Sequence, residues 1–309
     1  MAEHPSLGGV AMVLGGNVFG WTLDRDGSFA VLDAFYEAGG RMVDTAEGYS
    51  AWVPGNKGGE SEAILGEWLE SRGVRKDMRI GTKTGMQGTL ECLQQPGVTA
   101  ALQGSLERLR SDYVDLYYVH MDNGTTPLAD IAGAFDATIQ SGKARELGLS
   151  NFSAARLFEL MQVTDQFGIT PFTVLQPKHN LVSRAEFSGP MQDLAKARGL
   201  AVFPFFSLAS GFLTGKFRSD DDWGATARNF TIREFATPAG WAALEGLEAV
   251  AGELEARPAQ VALAWLLAQD GITAPIVSAT SPRQLLETMG YLSLKLEPSQ
   301  LERLDAAFA

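Results

Sequence analysis

The sequence has 309 residues, enough for one large domain or two of ordinary size. Its composition, 45% hydrophobic and 20% charged, is that of a globular protein, and no apolar run is long enough to span a bilayer. The net charge of −12 and the pI near 4.8 argue against nucleic-acid binding, because no cluster of lysine and arginine interrupts the acidic balance.

Cysteine usage and the N-terminus both bear on cellular location. Cys92 is the only cysteine, which excludes an intrachain disulfide and a cysteine-rich zinc site. The first nine residues lack the basic and apolar regions of a signal peptide. We therefore expect a cytoplasmic protein without a membrane anchor, and we predict no metal site.

Short β-branched or aromatic runs alternate with amphipathic segments along the whole chain. Eight runs are strand candidates: Gly9–Gly15, Arg41–Thr45, Met78–Lys83, Tyr113–His120, Ala144–Ser150, Phe172–Gln176, Leu200–Phe206 and Ala274–Ser278. Helical periodicity between them is clear in "ESEAILGEWLESRG", where Gly73 is the predicted stop.

This alternation, with no linker-like break in composition, predicts one α/β domain over residues 1–309, a (β/α)8 barrel of the TIM type. An open doubly wound sheet is the alternative. Such a sheet carries a G-x-G-x-x-G turn when it binds a dinucleotide, and the glycines of "VLGGNVFGW" do not have that spacing.

Polar side chains stand at the carboxyl ends of several predicted strands, where a barrel builds its active site. In chain order these residues, with one aromatic ring among them, are Asp44, Lys83, His120, Ser150, Asn151, Gln176 and Phe205. Taken singly, each has a structural interpretation: the aspartate caps a helix, the lysine is a surface charge, and the histidine is a hydrogen-bonded rim residue. Together they favour a site, because neighbouring strands lie only about 4.8 Å apart.

Asp44, Lys83 and His120 end three consecutive predicted strands, and Tyr49 follows Asp44 closely enough to fold over the same end of the barrel. Asp44 requires a partner if it is buried, and Lys83 can supply it. We expect the Lys83 ammonium to lower the pKa of Tyr49, and a neutral His120 to donate a hydrogen bond to a substrate oxygen. These four residues, called the tetrad below, predict a proton donor with its supporting charges.

Seven segments resemble the motifs of NADP-dependent aldo-keto reductases of the bacterial type, in the order of that family. They are "VDTAEGY", "GGESEAILGEWL", "IGTKTG", "VDLYYVH", "GLSNFS", "LQPKHNLVSR" and "FSLASGFLTGKF". The resemblance covers essentially the whole chain and implies a nicotinamide-dependent carbonyl reductase on a (β/α)8 barrel. It also implies that the tetrad is catalytic, with Tyr49 as the general acid that protonates a carbonyl oxygen as hydride arrives.

The resemblance further implies a cofactor site. Ser150, Asn151 and Gln176 match the residues that hold the nicotinamide carboxamide, and Phe205 matches the ring that stacks on the nicotinamide. The pyrophosphate loop would lie in "SLASGFLTGK", with contacts from Ser207, Leu208, Ser210, Gly211, Leu213 and Lys216. Its backbone N–H groups and the lysine would form a local anion site.

Near the last strand the chain departs from the family, which places basic residues there for the 2′-phosphate of NADP. The corresponding positions are Ser278, Gln284, Glu287 and Thr288, and Arg283 beside them is the candidate replacement. Loss of a bidentate arginine contact would weaken a preference for NADP. The resemblance favours NADP(H) as the cofactor, and NAD(H) is the alternative.

The segment Ser50–Gly58 is longer than the usual family connection and brings Trp52 near Tyr49. With Trp21 and Met121 it predicts an apolar mouth that suits an apolar or aromatic carbonyl substrate. The alternative is that Trp52 only packs its own loop. We also expect the polar, aperiodic segment Arg218–Phe235 to be a mobile loop that closes over cofactor or substrate.

Two other functions stay open. A Schiff-base lyase would use Lys83 as nucleophile, which requires a depressed lysine pKa, whereas Asp44 beside it would keep the amine protonated. A cofactor-binding regulatory subunit is the second, since some members of the family serve as channel subunits. The intact tetrad argues against a role in binding alone.

Overall fold

Eight parallel strands form one curled sheet in the computed structural model, which describes residues 7–86, 90–217 and 232–308. The strands are β1 Val13–Gly15, β2 Met42–Asp44, β3 Arg79–Thr84, β4 Leu116–Val119, β5 Leu147–Ser150, β6 Val174–Gln176, β7 Ala201–Val202 and β8 Ile276–Val277. Their order in the sheet is β7-β6-β5-β4-β3-β2-β1-β8, so consecutive strands from β1 to β7 are neighbours.

The two edges of this order, β7 and β8, meet and close the sheet. The N–H of Thr273 donates to the carbonyl of Val202 at 2.9 Å, and the N–H of Ile276 donates to the carbonyl of Pro204 at 2.9 Å. The closed sheet with helices outside it is the predicted (β/α)8 barrel, and the doubly wound alternative is wrong.

Several strands are shorter than predicted. β7 comprises Ala201–Val202 instead of Leu200–Phe206. Pro204 has no N–H to donate to a neighbouring strand, and Phe206 has a φ of 58°, which is incompatible with an extended strand. The pattern of apolar residues therefore located the strand, and local backbone chemistry ended it early.

Helices follow the strands on the outside of the barrel. In the described ranges the α-helices are α1 Arg25–Glu37, α2 Glu60–Arg72, α3 Gln95–Leu109, α4 Leu128–Gln140, α5 Ala154–Phe167, α6 Pro190–Arg198, α7 Pro238–Glu253, α8 Pro258–Ala268, α9 Pro282–Met289 and α10 Pro298–Ala307. α2 ends at the predicted glycine, since Gly73 has a φ of 67° and occupies the left-handed region that stops a helix.

No helix in the described part of the chain has the length and apolar character needed to cross a membrane. Of the segment predicted to be a mobile loop, residues 218–231 lie outside the described residues.

The interior of the barrel changes character along its axis. Apolar side chains from the strands fill it, among them Val13, Met42, Leu116, Tyr118, Val174 and Phe203. At the C-terminal ends of the strands the interior holds Asp44, Lys83 and Gln176, all nearly inaccessible to solvent. A second apolar layer lies between strands and helices. The polar end of the interior is therefore the place to seek chemistry.

Candidate active site

Lys83 and Asp44 form a buried ion pair at the polar end of the barrel. Lys83 Nζ lies 2.6 Å from Asp44 Oδ2, and the two side chains are 0% and 2% exposed. Asp44 ends β2 opposite Gly81 of β3, so the lysine two residues further along lies beyond the end of β2. The pairing compensates for the cost of burying both charges.

Tyr49 joins this pair from the loop after β2. Lys83 Nζ donates to the Tyr49 hydroxyl at 2.8 Å and to the Thr45 carbonyl at 2.8 Å. The Tyr49 hydroxyl in turn donates to Asp44 Oδ2 at 3.3 Å. An ammonium has three donors, and Asp44, Thr45 and Tyr49 use all of them. The tyrosine is thus held at a fixed point beside a positive and a negative charge.

The pKa shifts in this group correct one expectation. Desolvation of the hydroxyl and the adjacent Asp44 carboxylate raise the pKa of Tyr49 well above 10.0, whereas we expected Lys83 to lower it. Burial lowers the pKa of Lys83, and Asp44 acts in the opposite sense. The resting tyrosine is therefore a phenol, which is the state a proton donor requires. The ammonium can stabilise the phenolate once the proton has left.

His120, directly after β4, lies beside the phenol. Its ring meets the Tyr49 ring edge-on, with 5.9 Å between centroids. Burial, and secondly the positive charge of Lys83, lower the pKa of His120 to about 3, so the imidazole is neutral near pH 7. Its Nδ1 has no hydrogen-bond partner within the described residues. The structure thus brings the four tetrad residues together, as the strand ends predicted.

The three residues expected at the nicotinamide also lie together. Ser150 Oγ donates to the Gln176 carbonyl at 3.0 Å, and Asn151 Nδ2 donates to the His120 carbonyl at 2.8 Å and to Ser150 Oγ at 3.1 Å. Gln176 Nε2 donates across the barrel to Asp44 Oδ1 at 2.9 Å, a contact the sequence did not predict. The side-chain amides of Asn151 and Gln176 each carry donors and an acceptor, the groups that match a carboxamide.

The predicted pyrophosphate loop differs from expectation in its donors. It is a 3-10 segment, Ala209–Thr214, in which Gly211 has a φ of 99°. The N–H groups of Ala209, Gly211 and Leu213 already donate to the carbonyls of Phe206 and Leu208. A Cβ on Gly211 would lie 3.3 Å from Lys216 Nζ, so the ammonium covers this glycine. Lys216, rather than these three N–H groups, supplies the positive potential of the loop.

The remaining residues of this region differ in accessibility. Phe205 is half-buried and packs edge-on against Phe206, with 5.5 Å between centroids. The buried hydroxyl of Ser207 donates to the Ile276 carbonyl at 2.8 Å and so links the ends of β7 and β8. Leu208 and Ser210 are half-buried, whereas the side chain of Leu213 lies in the core.

Asn17 at the end of β1 is a polar residue that the sequence reasoning missed. Ser278 Oγ donates to Asn17 Oδ1 at 2.5 Å, which joins the ends of β8 and β1. A Cβ on Gly15 would lie 2.5 Å from Ser278 Oγ, so only glycine leaves room for this contact. The strand-end criterion that singled out Asp44 would have found Asn17 if it had been applied to the first strand.

The residues expected around the adenosine are partly engaged. The Gln284 side-chain oxygen accepts a backbone N–H at 2.8 Å, and Glu287 lies 3.3 Å from the guanidinium of Arg257, the residue directly before α8. Thr288 is buried, and Arg283 is exposed in the first turn of α9. Arg257, which the sequence reasoning did not consider, is thus a second guanidinium beside these positions.

Trp52 stands at the mouth beside Tyr49 and is 45% exposed. Its ring meets the ring of Tyr49 edge-on at 6.2 Å and the ring of Trp21 edge-on at 5.5 Å. Trp52 therefore lies beside Tyr49, as predicted, and Trp21 packs against Trp52. The exposed indole also leaves apolar surface beyond what packing of the loop uses.

Two methionines extend this apolar surface. Met121, directly after His120, and Met86, two residues after β3, are each 43% exposed. The sulfur of Met86, another residue missed in the sequence, lies 3.2 Å from the position of a Cβ on Gly48. We call Trp21, Trp52, Met86 and Met121 the rim. Flexible thioethers and edge-on indoles suit an apolar ligand of variable shape.

Comparison with known proteins identifies the family of this chain. A sequence model of the Aldo/keto reductase family matches residues 11–309. The chain belongs to the aldo/keto reductase family. Members are generally carbonyl reductases that depend on NAD(P)H, mostly NADP(H), and the family supports an oxidoreductase as the coarse description of this protein.

The names of similar proteins in the family describe different functions. A probable voltage-gated potassium channel subunit beta of Oryza sativa subsp. japonica is 31% identical over 301 residues, 93% of this chain and 89% of the relative. The uncharacterized oxidoreductase YrpG of Bacillus subtilis (strain 168) is 29% identical over 313 residues, covering 96% and 91%. The aryl-alcohol dehydrogenase (NADP(+)) of Phanerodontia chrysosporium is 27% identical over 305 residues, covering 92% and 76%.

The contacts of Lys83 also bear on the lyase alternative. A Schiff-base lysine must present a free amine to a carbonyl carbon. All three Lys83 donors are used, and the side chain has no exposed surface. The geometry therefore supports the reductase that the family implies and opposes the lyase.

Proposed function

We propose that this protein is an NAD(P)H-dependent carbonyl reductase that converts an aldehyde or ketone to an alcohol, with Tyr49 as general acid. The observation that supports this most directly is the hydrogen bond of 2.8 Å from Lys83 Nζ to the Tyr49 hydroxyl, backed by Asp44 at 2.6 Å from the same ammonium. A protonated phenol beside a fixed cation is ready to give up its proton to an acceptor at the mouth of the barrel.

Each tetrad residue has a separate task in this proposal. A dihydronicotinamide, when bound, would supply the hydride for the carbonyl carbon. The Tyr49 proton goes to the carbonyl oxygen, and Lys83 stabilises the phenolate left behind. Asp44 holds the ammonium in place, and neutral His120 orients the carbonyl oxygen by donating a hydrogen bond.

NADP(H) is the proposed cofactor, with NAD(H) as the alternative. Ser150, Asn151 and Gln176 would hold the carboxamide, Phe205 would lie against the nicotinamide, and Lys216 would contact the pyrophosphate. The residues near the last strand, Ser278, Gln284, Glu287 and Thr288, would surround the adenosine. The exposed guanidinium of Arg283 and that of Arg257 are the candidates for a 2′-phosphate. One relative's name includes NADP(+), in agreement with this choice.

The rim supports an apolar or aromatic carbonyl as substrate. Trp52, Met86 and Met121 are each more than 40% exposed around the tyrosine, a large apolar surface for the mouth of an active site. The name of one relative, an aryl-alcohol dehydrogenase, is in line with this proposal. We also keep the prediction of a cytoplasmic location, which the single cysteine favours.

A paired titration with NADPH and NADH, followed by turnover assays on aldehydes, tests the proposal. We expect NADPH to bind at least tenfold more tightly, about 1.4 kcal/mol, with a smaller ratio in Arg283→Ala or Arg257→Ala. Equal affinities for NADPH and NADH would indicate an enzyme that uses both cofactors. Failure of both cofactors to bind would contradict the reductase assignment.

The substrate part is tested with Trp52→Ala. We expect the KM for an aromatic aldehyde to rise about tenfold, about 1.4 kcal/mol, with little change for a short aliphatic aldehyde. Phe158→Ala is the matched control, because Phe158 is a 51% exposed aromatic residue on α5, outside the rim. Equal KM changes for both aldehydes would contradict the proposal that the rim selects an aromatic substrate.

A regulatory subunit is the second candidate, because one relative bears the name of a probable potassium channel subunit beta. The same assays separate the two. NADPH binding without turnover of any aldehyde would favour the regulatory role, whereas turnover by the isolated chain would favour the enzyme.

A further inference from the structure

Glu47 stands in the tight turn that presents Tyr49. The N–H of Tyr49 donates to the Ala46 carbonyl at 3.2 Å, which makes Glu47 and Gly48 the central residues of a four-residue turn. Any shift of these central residues moves Tyr49. The position of the phenol therefore depends on what holds the turn.

The side chain of Glu47 bonds to the end of β3. Its Oε1 accepts the hydroxyl of Thr84 at 2.5 Å and the N–H of Gly85 at 3.2 Å. The Glu47 N–H donates to the Lys83 carbonyl at 3.2 Å. The turn is thus bonded at three points to residues 83–85, at the end of β3 and directly after it.

Alternation along β3 places these contacts opposite the catalytic ones. Lys83 faces the barrel interior, and Thr84 beside it faces the other side, because successive strand residues alternate. On the inner side the Lys83 ammonium bonds to Tyr49, and on the outer side Thr84 bonds to Glu47. The same two segments are joined on both sides of the strand, which fixes the separation between phenol and ammonium.

The carboxylate of Glu47 is costly where it lies. The residue is half-buried and has no ion pair among the residues that the structure describes, so Thr84 and Gly85 are its compensation. Burial, with a contribution from Glu62, raises the pKa of Glu47.

We propose that Glu47 is a positioning residue for the reductase reaction, which holds Tyr49 at hydrogen-bond distance from Lys83 through its bond to Thr84. This inference rests on the proposed function. Glu47 itself touches neither substrate nor the reacting atoms.

β3 offers a matched control for this proposal. Thr82 also faces outward, is also buried, and donates to a carboxylate, Glu62 Oε1, at 2.5 Å. Glu62 belongs to α2 and is paired with Arg108 at 2.7 Å, so its bond to Thr82 joins β3 to α2 and not to the tyrosine turn. Thr82→Val and Thr84→Val therefore delete equivalent hydrogen bonds on the same face of the same strand.

The experiment compares Thr84→Val, Thr82→Val, Glu47→Ala and Glu47→Gln with the wild type by unfolding midpoint, NADPH affinity and single-turnover reduction of an aldehyde. We expect the two threonine variants to lose similar stability. Only Thr84→Val and Glu47→Ala should slow the single-turnover step, by roughly 10- to 100-fold, with NADPH affinity within about twofold of wild type. Glu47→Gln, which keeps an acceptor oxygen, should recover most of the rate.

Three results would count against the proposal. Equal rate losses in Thr82→Val and Thr84→Val would make the effect one of general stability. Full rates in Thr84→Val and Glu47→Ala, with an active wild type, would overturn the positioning role alone. An inactive wild type that binds NADPH would overturn the proposed function and this inference together.

Discussion

Two buried aspartates, Asp44 at the C-terminal end of the barrel and Asp115 at the N-terminal end, have nearly the same burial and different partners. Asp44 is 2% exposed and Asp115 is 5% exposed. Asp115 lies just before β4 and pairs with Arg75 at 2.9 Å and Arg145 at 3.1 Å, and it accepts the N–H of Ile80 at 3.0 Å. Asp44 instead meets a lysine, a tyrosine and an amide.

The comparison shows that burial and pairing of a carboxylate do not mark an active site. Guanidinium groups keep their protons at any physiological pH, so the Asp115 cluster can fix the fold and cannot transfer a proton. The Asp44 cluster contains a phenol with an exchangeable proton, next to a neutral imidazole and an apolar mouth. The chemistry of the partners distinguishes the two ends.

The strongest test of this difference is Tyr49→Phe. We expect the turnover number to fall roughly 10²- to 10⁴-fold, because the proton donor is lost while the Asp44–Lys83 pair remains. Cofactor affinity and the unfolding midpoint should stay close to wild type. Steady-state turnover, NADPH titration and thermal unfolding measure the three quantities, and residual activity above one tenth would contradict the role of Tyr49.

Asp115→Asn should lower the stability of the fold and leave the turnover number unchanged. We expect the free energy of unfolding to fall by about 3 kcal/mol, because two arginines lose their buried counter-charge. The turnover number per folded molecule should not change, since the substitution lies at the far end of the barrel. Urea unfolding and active-site titration check this. A large loss of turnover at unchanged stability would contradict the purely structural role of Asp115.

The loss of stability in acid should come from two buried histidines, His120 and His179. Burial lowers the pKa of His120 to about 3 and that of His179 to about 4, from 6.5 in an unfolded chain. The unfolded chain therefore binds more protons below pH 6.5, and stability should decline as the pH falls from 6.5 towards 4. Each group contributes up to about 1.4 kcal/mol per pH unit.

Unfolding measured from pH 7.5 to pH 4 checks this dependence. The variants His120→Asn and His179→Asn should each show a shallower decline than wild type. A slope unchanged in both variants would show that other groups dominate the acid response.

Arg145→Ala should have the smallest effect. Its side chain is 54% exposed, so its ion pair with Asp115 is screened by solvent and should stabilise the fold by less than about 1 kcal/mol. Arg75, which is 16% exposed, remains to neutralise the carboxylate. A loss comparable to that of Asp115→Asn in urea unfolding would mean that the exposed arginine dominates the cluster.

Much of the tetrad could be predicted from the sequence because a barrel brings the carboxyl ends of its strands together. Asp44, Lys83 and His120 follow apolar runs, so their convergence needed only the fold class. Tyr49 required the further step that a short loop returns to the strand ends. Contacts between loops were beyond that reasoning, and Met86 and Arg257 were missed for that reason. Asn17 was missed because the strand-end criterion was not applied to the first strand.

The sequence by itself determined the alternation of strands and helices, the (β/α)8 class and the residues at the strand ends, because these depend on local apolar periodicity and on a topology that few folds satisfy. The tertiary structure alone decided the direction of the Tyr49 pKa shift, the bond from Gln176 to Asp44 and the bond from Glu47 to Thr84. These depend on distance and on exclusion of water, which arise only when segments remote in sequence pack against one another.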